Sequence, residues 1–357
     1  MPATPPRVTL RDVARTANVH PSLVSRVLSQ DPRARVSAHT RRRILSAAQR
    51  LGYHPNALAR GLRLATPRTL GLLLPDLGNP IYDQVVRGAY AAATAEGYVL
   101  VIGSTYNDQA TELAFADLLH QGRVDGLIIT SATLDSTTVA RLAATALPVV
   151  VANRQVEGAL ASVIVDDEAA SSLATNHLLD LGHIHLAHIA GAENAETSAR
   201  RISGFTTAAR IRAQSALILR AGTRPVDGYS AALEIISAHP EVTGIVCASF
   251  RAAAGVLHAA AVRRRTVPDR LSVVAIHDDL LADHLLPPLT TIELPMRELG
   301  SAAVQMLLGR IAGNSPEQRT VPDPPRLHIR ESTAPPNYPP LEHSPLQSAD
   351  RYHRAST

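Results

Sequence analysis

From residue 69 onward, short apolar runs alternate with segments whose apolar positions repeat at helical spacing. Runs of about four to seven residues rich in Val, Ile and Leu, separated by helical crossovers, are typical of parallel strands buried on both faces. The runs are TLGLLLP, YVLVIGS, DGLIITS, LPVVVAN, ASVIVDD, HLAHIAG, TGIVCAS and LSVVAIH. This pattern predicts an α/β fold in which two parallel sheets, each covered by helices, form a two-lobed body.

The order of these runs predicts how the chain divides between the lobes. We expect residues 69–163 and 293–316 in the N-lobe, and residues 164–292 and 317–334 in the C-lobe, with TTIELP crossing between them. The last residues, 335–357, are rich in Pro, Ser and His and predict a disordered tail.

The first 54 residues predict three short helices. Thr9 and Asp12 have capping-box spacing before an apolar helical face, and Asn18 suits the left-handed residue of a tight turn. Pro21 suits the first position of a second helix, and Ser37 is placed to cap a third. Three such helices with a tight turn between the first two predict a helix-turn-helix head.

Residues 55–68 connect the head to the body and leave two interpretations open. Pro55 ends the third helix, and Asn56 is placed to cap a short helix over 57–62. A helix of about six residues is not stable alone in water. The segment is therefore either a plain linker or a hinge helix that folds when DNA and a second subunit support it.

Charge separates the head from the body. The first 68 residues contain 13 arginines and two acidic residues, whereas the remainder contains 22 arginines and 29 acidic residues. A basic head indicates an anionic partner, with nucleic acid ahead of a membrane surface. The single cysteine, Cys247, excludes an intramolecular disulfide. With neither a signal peptide nor a long apolar span in the sequence, we expect a cytoplasmic protein.

Nine segments in the same order resemble the lactose/galactose repressor (LacI/GalR) family of transcriptional regulators. They are VTLRDVARTANVHPSLVSRVL, VSAHTRRRIL…LGYHPNALARGLR, RTLGLLLPDLGNPIY, GRVDGLII, LPVVVANR, LLDLGHIHLAHIAG, VPDRLSVVAIHDD, PPLTTIELPMRELG and IRESTAP. The resemblance implies a homodimer or higher homo-oligomer whose heads read a near-palindromic double-stranded operator. It also implies a body like that of the periplasmic sugar-binding proteins, and a small-molecule effector, bound between the lobes, that controls the heads.

The second helix of a helix-turn-helix lies in the major groove and presents its first residues to base edges. Here these residues are His20, Pro21 and Ser22, with Arg26 one turn later. Thr9 and Ser25 are better placed for phosphates, which position a head without specifying sequence. The resemblance implies that Ala59 faces the minor-groove floor and that Leu62 is levered into a central base step.

Ligands of open α/β sheets bind at the carboxyl ends of the strands. This rule places eight candidate effector residues around the cleft between the lobes: Asp76, Asn79, Tyr106, Asn153, Arg201, Ser249, Phe250 and His277. Arg201 matches the family arginine that forks onto sugar hydroxyls or a carboxylate.

Several cleft positions depart from the family pattern. Ser249 and Phe250 stand where the family has Asn-Asp, Asn153 and His277 stand where it often has Asp, and Met296 replaces its aromatic platform. Fewer carboxylates are left to accept hydrogen bonds from sugar hydroxyls. The cleft residues therefore favour an anionic effector, or a pocket that has lost ligand binding, over a neutral hexose.

The chain is not expected to be an enzyme, because no nucleophile, paired base or phosphate-binding loop stands out. A solute-binding protein fits the body but not the basic head. His183, His185 and His188 lie close in sequence, but no carboxylate or Cys completes a metal site around them. We therefore expect no metal and no cofactor.

Overall fold

The computed structural model describes residues 8–28, 36–53, 68–106, 108–120, 124–131, 137–155 and 161–337. Contacts divide the chain into two compact units, one built mainly on residues up to Thr69 and the other mainly on residues from Leu70 onward. We refer to them as the head and the body.

The head consists of three helices, α1 (Leu10–Thr16), α2 (Pro21–Leu28) and α3 (Ala38–Arg50). Its core is formed by small and branched side chains, with no Trp or Phe among them: Val13, Ala14, Ala17, Val24, Val27, Ile44, Ala47 and Ala48. The predicted helix-turn-helix is confirmed, with the first two helices joined by a short turn.

The local features predicted for the head are present. The Asp12 carboxylate accepts the Thr9 backbone N–H at 2.9 Å, completing the capping box, and Thr9 lowers the pKa of that carboxyl by hydrogen bonding. Asn18 has a φ of 46°, as the tight turn requires. Ser37 Oγ accepts the backbone N–H of Thr40 at 3.2 Å at the start of α3.

The body contains two six-stranded sheets, of order β11-β5-β4-β3-β1-β2 and β12-β10-β9-β8-β6-β7. The strands are β1 Thr69–Leu74, β2 Val99–Ser104, β3 Gly126–Ile129, β4 Val149–Ala152, β5 Ser162–Ile164, β6 His185–Ala190, β7 Ser215–Arg220, β8 Gly244–Cys247, β9 Ser272–Ile276, β10 Thr290–Glu293, β11 Gln318–Thr320 and β12 Arg326–His328. The two parallel-sheet lobes predicted from the apolar runs are confirmed.

Helices cover both sheets. They are α4 Ile81–Ala95, α5 Gln109–His120, α6 Thr137–Ala143, α7 Asp167–Asp180, α8 Glu196–Arg212, α9 Pro225–Ala238, α10 Phe250–Val262 and α11 Met296–Ile311, with a 3-10 helix at Leu280–His284. Among the described helices, none is long and apolar enough to cross a membrane.

One predicted lobe boundary is wrong. Residues from 317 onward were expected in the C-lobe, but Gln318–Thr320 forms β11 and pairs in parallel with β5 of the N-lobe. The chain crosses only afterwards, and β12 then pairs antiparallel with β10 of the C-lobe. All three residues of β11 are exposed, so no apolar run marks this strand in the sequence. The predicted tail, residues 335–357, lies outside the described part of the chain from residue 338 onward.

Helix pairs in both lobes approach closely at glycines. A methyl group on Gly88 of α4 would overlap the carbonyl oxygen of Arg297, and one on Gly300 of α11 would overlap that of Val85. In the C-lobe, Gly228 of α9 and Gly255 of α10 make the same reciprocal contact with backbone of the facing helix. The packing of each lobe therefore depends on the absence of a side chain at these positions.

The C-lobe also buries groups that could otherwise react or titrate. Cys247 of β8 is completely buried, and burial raises the pKa of its thiol. His188 of β6 is likewise completely buried, stacks on Phe205 with ring centroids 5.2 Å apart, and donates from Nδ1 to the Val246 carbonyl. Burial lowers the pKa of His188 to about 4, so its ring is neutral at pH 7.

We expect the body to lose stability as the pH falls from about 6.5 to about 4, because the unfolded chain binds a proton at His188 that the folded chain excludes. The loss at pH 5 should be about 2 kcal/mol for this residue. Urea unfolding at pH 7 and pH 5, repeated for His188→Gln, measures it. The pH-dependent difference should shrink in the variant, and an unchanged difference would assign it to other groups.

Candidate functional site

A cavity of about 380 Å³ lies between the two lobes. Its lining comes from loops that follow strands and from the first turns of helices, where the carboxyl ends of both sheets meet. The polar and charged residues that line it are Asp76, Asn79, Tyr82, Asn153, Arg154, Asn194, Thr197, Ser198, Arg201, Thr223, Arg224, Asp227, Ser249, Arg251 and His277.

Six of the eight predicted effector residues lie on this cavity: Asp76, Asn79, Asn153, Arg201, Ser249 and His277. Tyr106 does not, because it follows β2, the edge strand of its sheet, and it is 74% exposed. Phe250 is also misplaced, since its side chain is 6% exposed and packs in the core of the C-lobe. The next residue, Arg251, lines the cavity instead.

Arg201 of α8 is fixed in the cavity wall by three hydrogen-bond partners. Its Nε donates to Asp167 Oδ1 at 2.7 Å, Nη1 donates to the Ala248 carbonyl at 2.5 Å, and Nη2 donates to His277 Nε2 at 2.9 Å. Asp167 is fully buried and pairs with the same guanidinium. Arg201 therefore anchors the wall as much as it presents donors to the cavity, and neither Asp167 nor this structural role was predicted.

The contact with Arg201 determines the tautomer of His277. An arginine has no acceptor, so His277 Nε2 must accept and the ring proton must lie on Nδ1. Burial, followed by the charge of Arg201, holds the pKa of His277 well below its usual range. His277 is therefore a neutral donor, and its Nδ1 is buried without a hydrogen-bond partner among the described residues.

Two further buried polar atoms of the cavity wall, Asn153 Oδ1 and Ser198 Oγ, also lack a partner within the described part of the chain. Asn153 and His277 follow strands β4 and β9 with φ angles of 67° and 73°, a conformation that costs energy in residues other than Gly. Buried polar groups are rarely left unpaired without a reason. A ligand that supplies the missing partners fits this arrangement.

An ion pair spans the cleft. Asp76, after β1 of the N-lobe, accepts from Arg251 Nη1 of the C-lobe at 2.7 Å, and both side chains are partly exposed. Burial acts to raise the pKa of Asp76, but hydrogen bonds from Arg251 and the Gly78 N–H outweigh it and hold that pKa below its usual value. Nothing in the sequence indicates that Asp76 and Arg251 form a pair, and Arg251 was not among the predicted effector residues.

Two further hydrogen bonds, each between a side chain and a backbone group, join the lobes. Arg200 of α8 donates from Nη2 to the Asn153 carbonyl at 3.2 Å, and the Gln155 N–H donates to Glu196 Oε2 at 3.2 Å. Glu196 also pairs with Arg200 at 2.7 Å. Opening of the cleft would break these contacts, so the described body has its two lobes in contact with each other across the cleft.

In the head, α2 presents the polar face that the sequence predicted. His20, Ser22 and Arg26 are exposed, and Pro21 and Ser25 are half-buried. His20 Nδ1 accepts the Ser22 N–H at 3.3 Å and lies 2.7 Å from Ser22 Oγ, so the imidazole caps the helix start. A polar, exposed first turn on the second helix is what major-groove contact requires.

Three predicted DNA contacts lie outside α2 and the histidine that caps it. Thr9 is exposed, but its hydroxyl donates to Asp12 at 2.6 Å as part of the helix start. Ala59 and Leu62 fall in residues 54–67, outside the described residues, so their roles stay predictions.

The three histidines considered as metal ligands are all engaged. His183 contacts Thr243 and Ala334, His185 contacts Ser215, and His188 contacts Val246. Across the described ranges, no group of three or more His, Cys, Asp or Glu side chains could hold a metal ion.

Comparison with known proteins agrees with this geometry. Residues 9–56 match the family described as bacterial regulatory proteins, lacI family, and residues 67–331 match periplasmic binding proteins and sugar binding domain of LacI family. The ribose operon repressor of Halalkalibacterium halodurans is 30% identical over 325 residues, which is 91% of this chain and 97% of the relative.

Solved structures are similar over most of their length. A LacI family transcriptional regulator from Mycobacterium smegmatis is 30% identical with a TM-score of 0.71, covering 75% of this chain and 99% of that one. The lac repressor dimer bound to operator and the anti-inducer ONPF is 26% identical with a TM-score of 0.80, covering 92% and 100%. The chain therefore belongs to the LacI family of bacterial regulatory proteins.

Proposed function

We propose that this chain is a transcriptional repressor that binds a specific operator through its head and a small-molecule effector, sugar-like or anionic, through its cleft. The observation that carries the proposal is that one chain contains both a helix-turn-helix with an exposed polar recognition helix and a two-lobed body with a cleft. Some buried polar groups of that cleft have no partner within the described part of the chain. A repressor acts where the chromosome is, so we place it in the cytoplasm, as a regulator and not an enzyme.

The similarity to an operator-bound repressor dimer supports a homodimer on a near-palindromic site. In this proposal residues 57–62 form a hinge helix that pairs with that of the second subunit, with Ala59 at the minor-groove floor and Leu62 as the wedge. Closure or opening of the lobes would change the spacing of the two hinges and so bias their folding on DNA.

A second function keeps operator binding and loses the effector. The cleft argues against it, because three buried polar atoms in the cavity wall lack partners among the described residues, which is costly unless something binds them. A solute-binding protein would have no use for the basic head.

Arg26→Ala should weaken binding to the specific operator by about 2 kcal/mol, close to thirtyfold, because Arg26 is exposed on α2 where base edges are read. The measurement is a titration of full-length protein on operator and on scrambled DNA at two salt concentrations. The operator can be selected from random duplexes with the wild-type chain.

Arg15→Ala is the matched control, because it removes the same charge from the end of α1 while leaving α2 intact. It should weaken binding to both DNAs by a similar small amount. Equal effects of the two substitutions on the operator would mean that Arg26 contributes only its charge.

A further inference from the structure

The charged side chains in the wall of the cleft are mostly hydrogen-bond donors. Four arginines and two aspartates line it, and each aspartate is already paired with one of the arginines: Asp76 with Arg251 at 2.7 Å and Asp227 with Arg224 at 2.8 Å. Arg201 pairs in turn with the buried Asp167, so four arginines stand against three aspartates and leave a formal excess of one positive charge.

Each oxygen of both carboxylates also accepts at least one hydrogen bond. Asp76 Oδ1 accepts the Gly78 N–H at 2.8 Å while Oδ2 accepts from Arg251. Asp227 Oδ2 accepts the backbone N–H and Nε of Arg224, and Oδ1 accepts its Nη2. A ligand hydroxyl that donates a hydrogen bond would have to share these oxygens with the donors of the protein.

Donors, by contrast, remain. A guanidinium carries five N–H groups, and the Asp76 contact of Arg251 uses Nη1 alone within the described residues. The buried His277 adds a neutral Nδ1–H without a partner in the same part of the chain. Among the described residues of the wall, Asn153 Oδ1 and the Ser198 hydroxyl are acceptors without a partner. Such a wall complements a ligand that is rich in acceptors.

We propose that the effector of this chain is a small hydroxylated anion, a sugar acid or a sugar phosphate, whose acid group takes the place of Asp76 as the partner of Arg251. This inference rests on the proposed function, because it specifies the ligand of the same cleft. The cavity of about 380 Å³ is at the small end of the range for ligand pockets, which suits a monosaccharide-sized molecule.

Exchange of partners at Arg251 couples the ligand to the lobes. Asp76 belongs to the N-lobe and Arg251 to α10 of the C-lobe, so an anion that captures Arg251 removes one cross-lobe ion pair. A ligand anion that contacts both lobes replaces it, whereas one held by the C-lobe alone releases the N-lobe. The acid group thus acts on the contact that joins the lobes.

The test is calorimetric binding to the full chain of glucose and ribose, of their corresponding sugar acids, and of their terminal phosphate esters. At least one acid or ester should bind about tenfold or more tightly than its neutral parent. A preference for the acids or for the esters tells which anion the site takes. Tighter binding of the neutral sugars, or binding of no acid and no ester at millimolar concentration, would overturn the proposal.

Two substitutions separate a ligand role from a structural one. Asp76→Asn and Arg251→Gln break the same ion pair, so a role in stability alone predicts the same change for both. If Arg251 binds the acid group, Asp76→Asn should strengthen anion binding several-fold, because it removes the competing carboxylate, and Arg251→Gln should abolish the preference for anions. Changes of the same sign in both variants would contradict the proposal.

Arg263→Gln provides the charge-matched control, since Arg263 is exposed at the far end of α10. It should leave the anion preference unchanged. Operator affinity, measured on the same preparations without ligand, distinguishes the two proposals: normal operator binding with a preference for neutral sugars sinks the ligand class and leaves the repressor function in place.

Discussion

Arg201→Ala should lower the free energy of unfolding of the body by about 3 kcal/mol and abolish the effect of the ligand on operator binding. The substitution leaves the fully buried Asp167 carboxylate without its main partner, and removing one member of a buried pair costs about 3–5 kcal/mol. Arg200 still lies 3.0 Å from Asp167 Oδ2, which places the cost at the low end. The Arg201→Ala substitution also removes the hydrogen bond to His277 Nε2 that fixes the tautomer of this histidine.

A double-mutant cycle in urea, with Asp167→Ala and the combined variant, isolates the energy of the pair. Arg212→Ala is the control in the same helix, because its ion pair with Asp180 is exposed on both sides and should contribute less than about 1 kcal/mol. Equal destabilisation by Arg201→Ala and Arg212→Ala would show that the buried ion pair contributes no more to stability than the exposed one. A ligand response retained by Arg201→Ala would show that the cleft has been assigned wrongly.

Gly300→Ala should destabilise the N-lobe by about 3 kcal/mol. A methyl group at this position meets the backbone carbonyl of Val85 and the nitrogen of Ala89 on α4, and backbone cannot move aside as a side chain can. The two helices would have to separate, although α11 itself gains from replacing Gly by Ala. Gly88→Ala should have a comparable effect, since it faces the backbone of Arg297 at the same crossing.

Gly309→Ala, on the same helix α11, is the matched control. A methyl group there meets only the side chain of Asn314, so the variant should be neutral or more stable by up to about 1 kcal/mol. Thermal and urea unfolding of the three variants provides the comparison. A stable Gly300→Ala variant would mean that the α4–α11 packing is looser than the structure describes.

What the sequence predicts well is local. The capping box of Thr9 and Asp12, the left-handed Asn18 and the helix start at Pro21 involve residues a few positions apart, whose preferences act before any tertiary contact forms. The two sheets could be predicted equally well, because fully buried strands appear in the sequence as continuous apolar runs. β11 leaves none, since its residues are polar and exposed, and this explains the misplaced lobe boundary.

The cleft could be predicted only in outline. The strand-end rule located six lining residues, but the first turn of α10 decides whether residue 250 or 251 faces the cavity, and that rotation is set by tertiary packing. Asp167 lies 34 residues from Arg201, and Asp76 lies 175 residues from Arg251. Such pairings are created by the fold, and no local pattern announces them.

The burial of Cys247 makes the native chain suitable for site-directed labelling. It is the single cysteine of the sequence, and its thiol is both inaccessible and held protonated by its surroundings. A pair of cysteines introduced on opposite rims of the cleft could therefore carry spin labels or fluorophores without first removing the native one. Distances between the labels would report the separation of the lobes during a ligand titration. The slow rate at which Cys247 itself is modified would report how often the C-lobe opens.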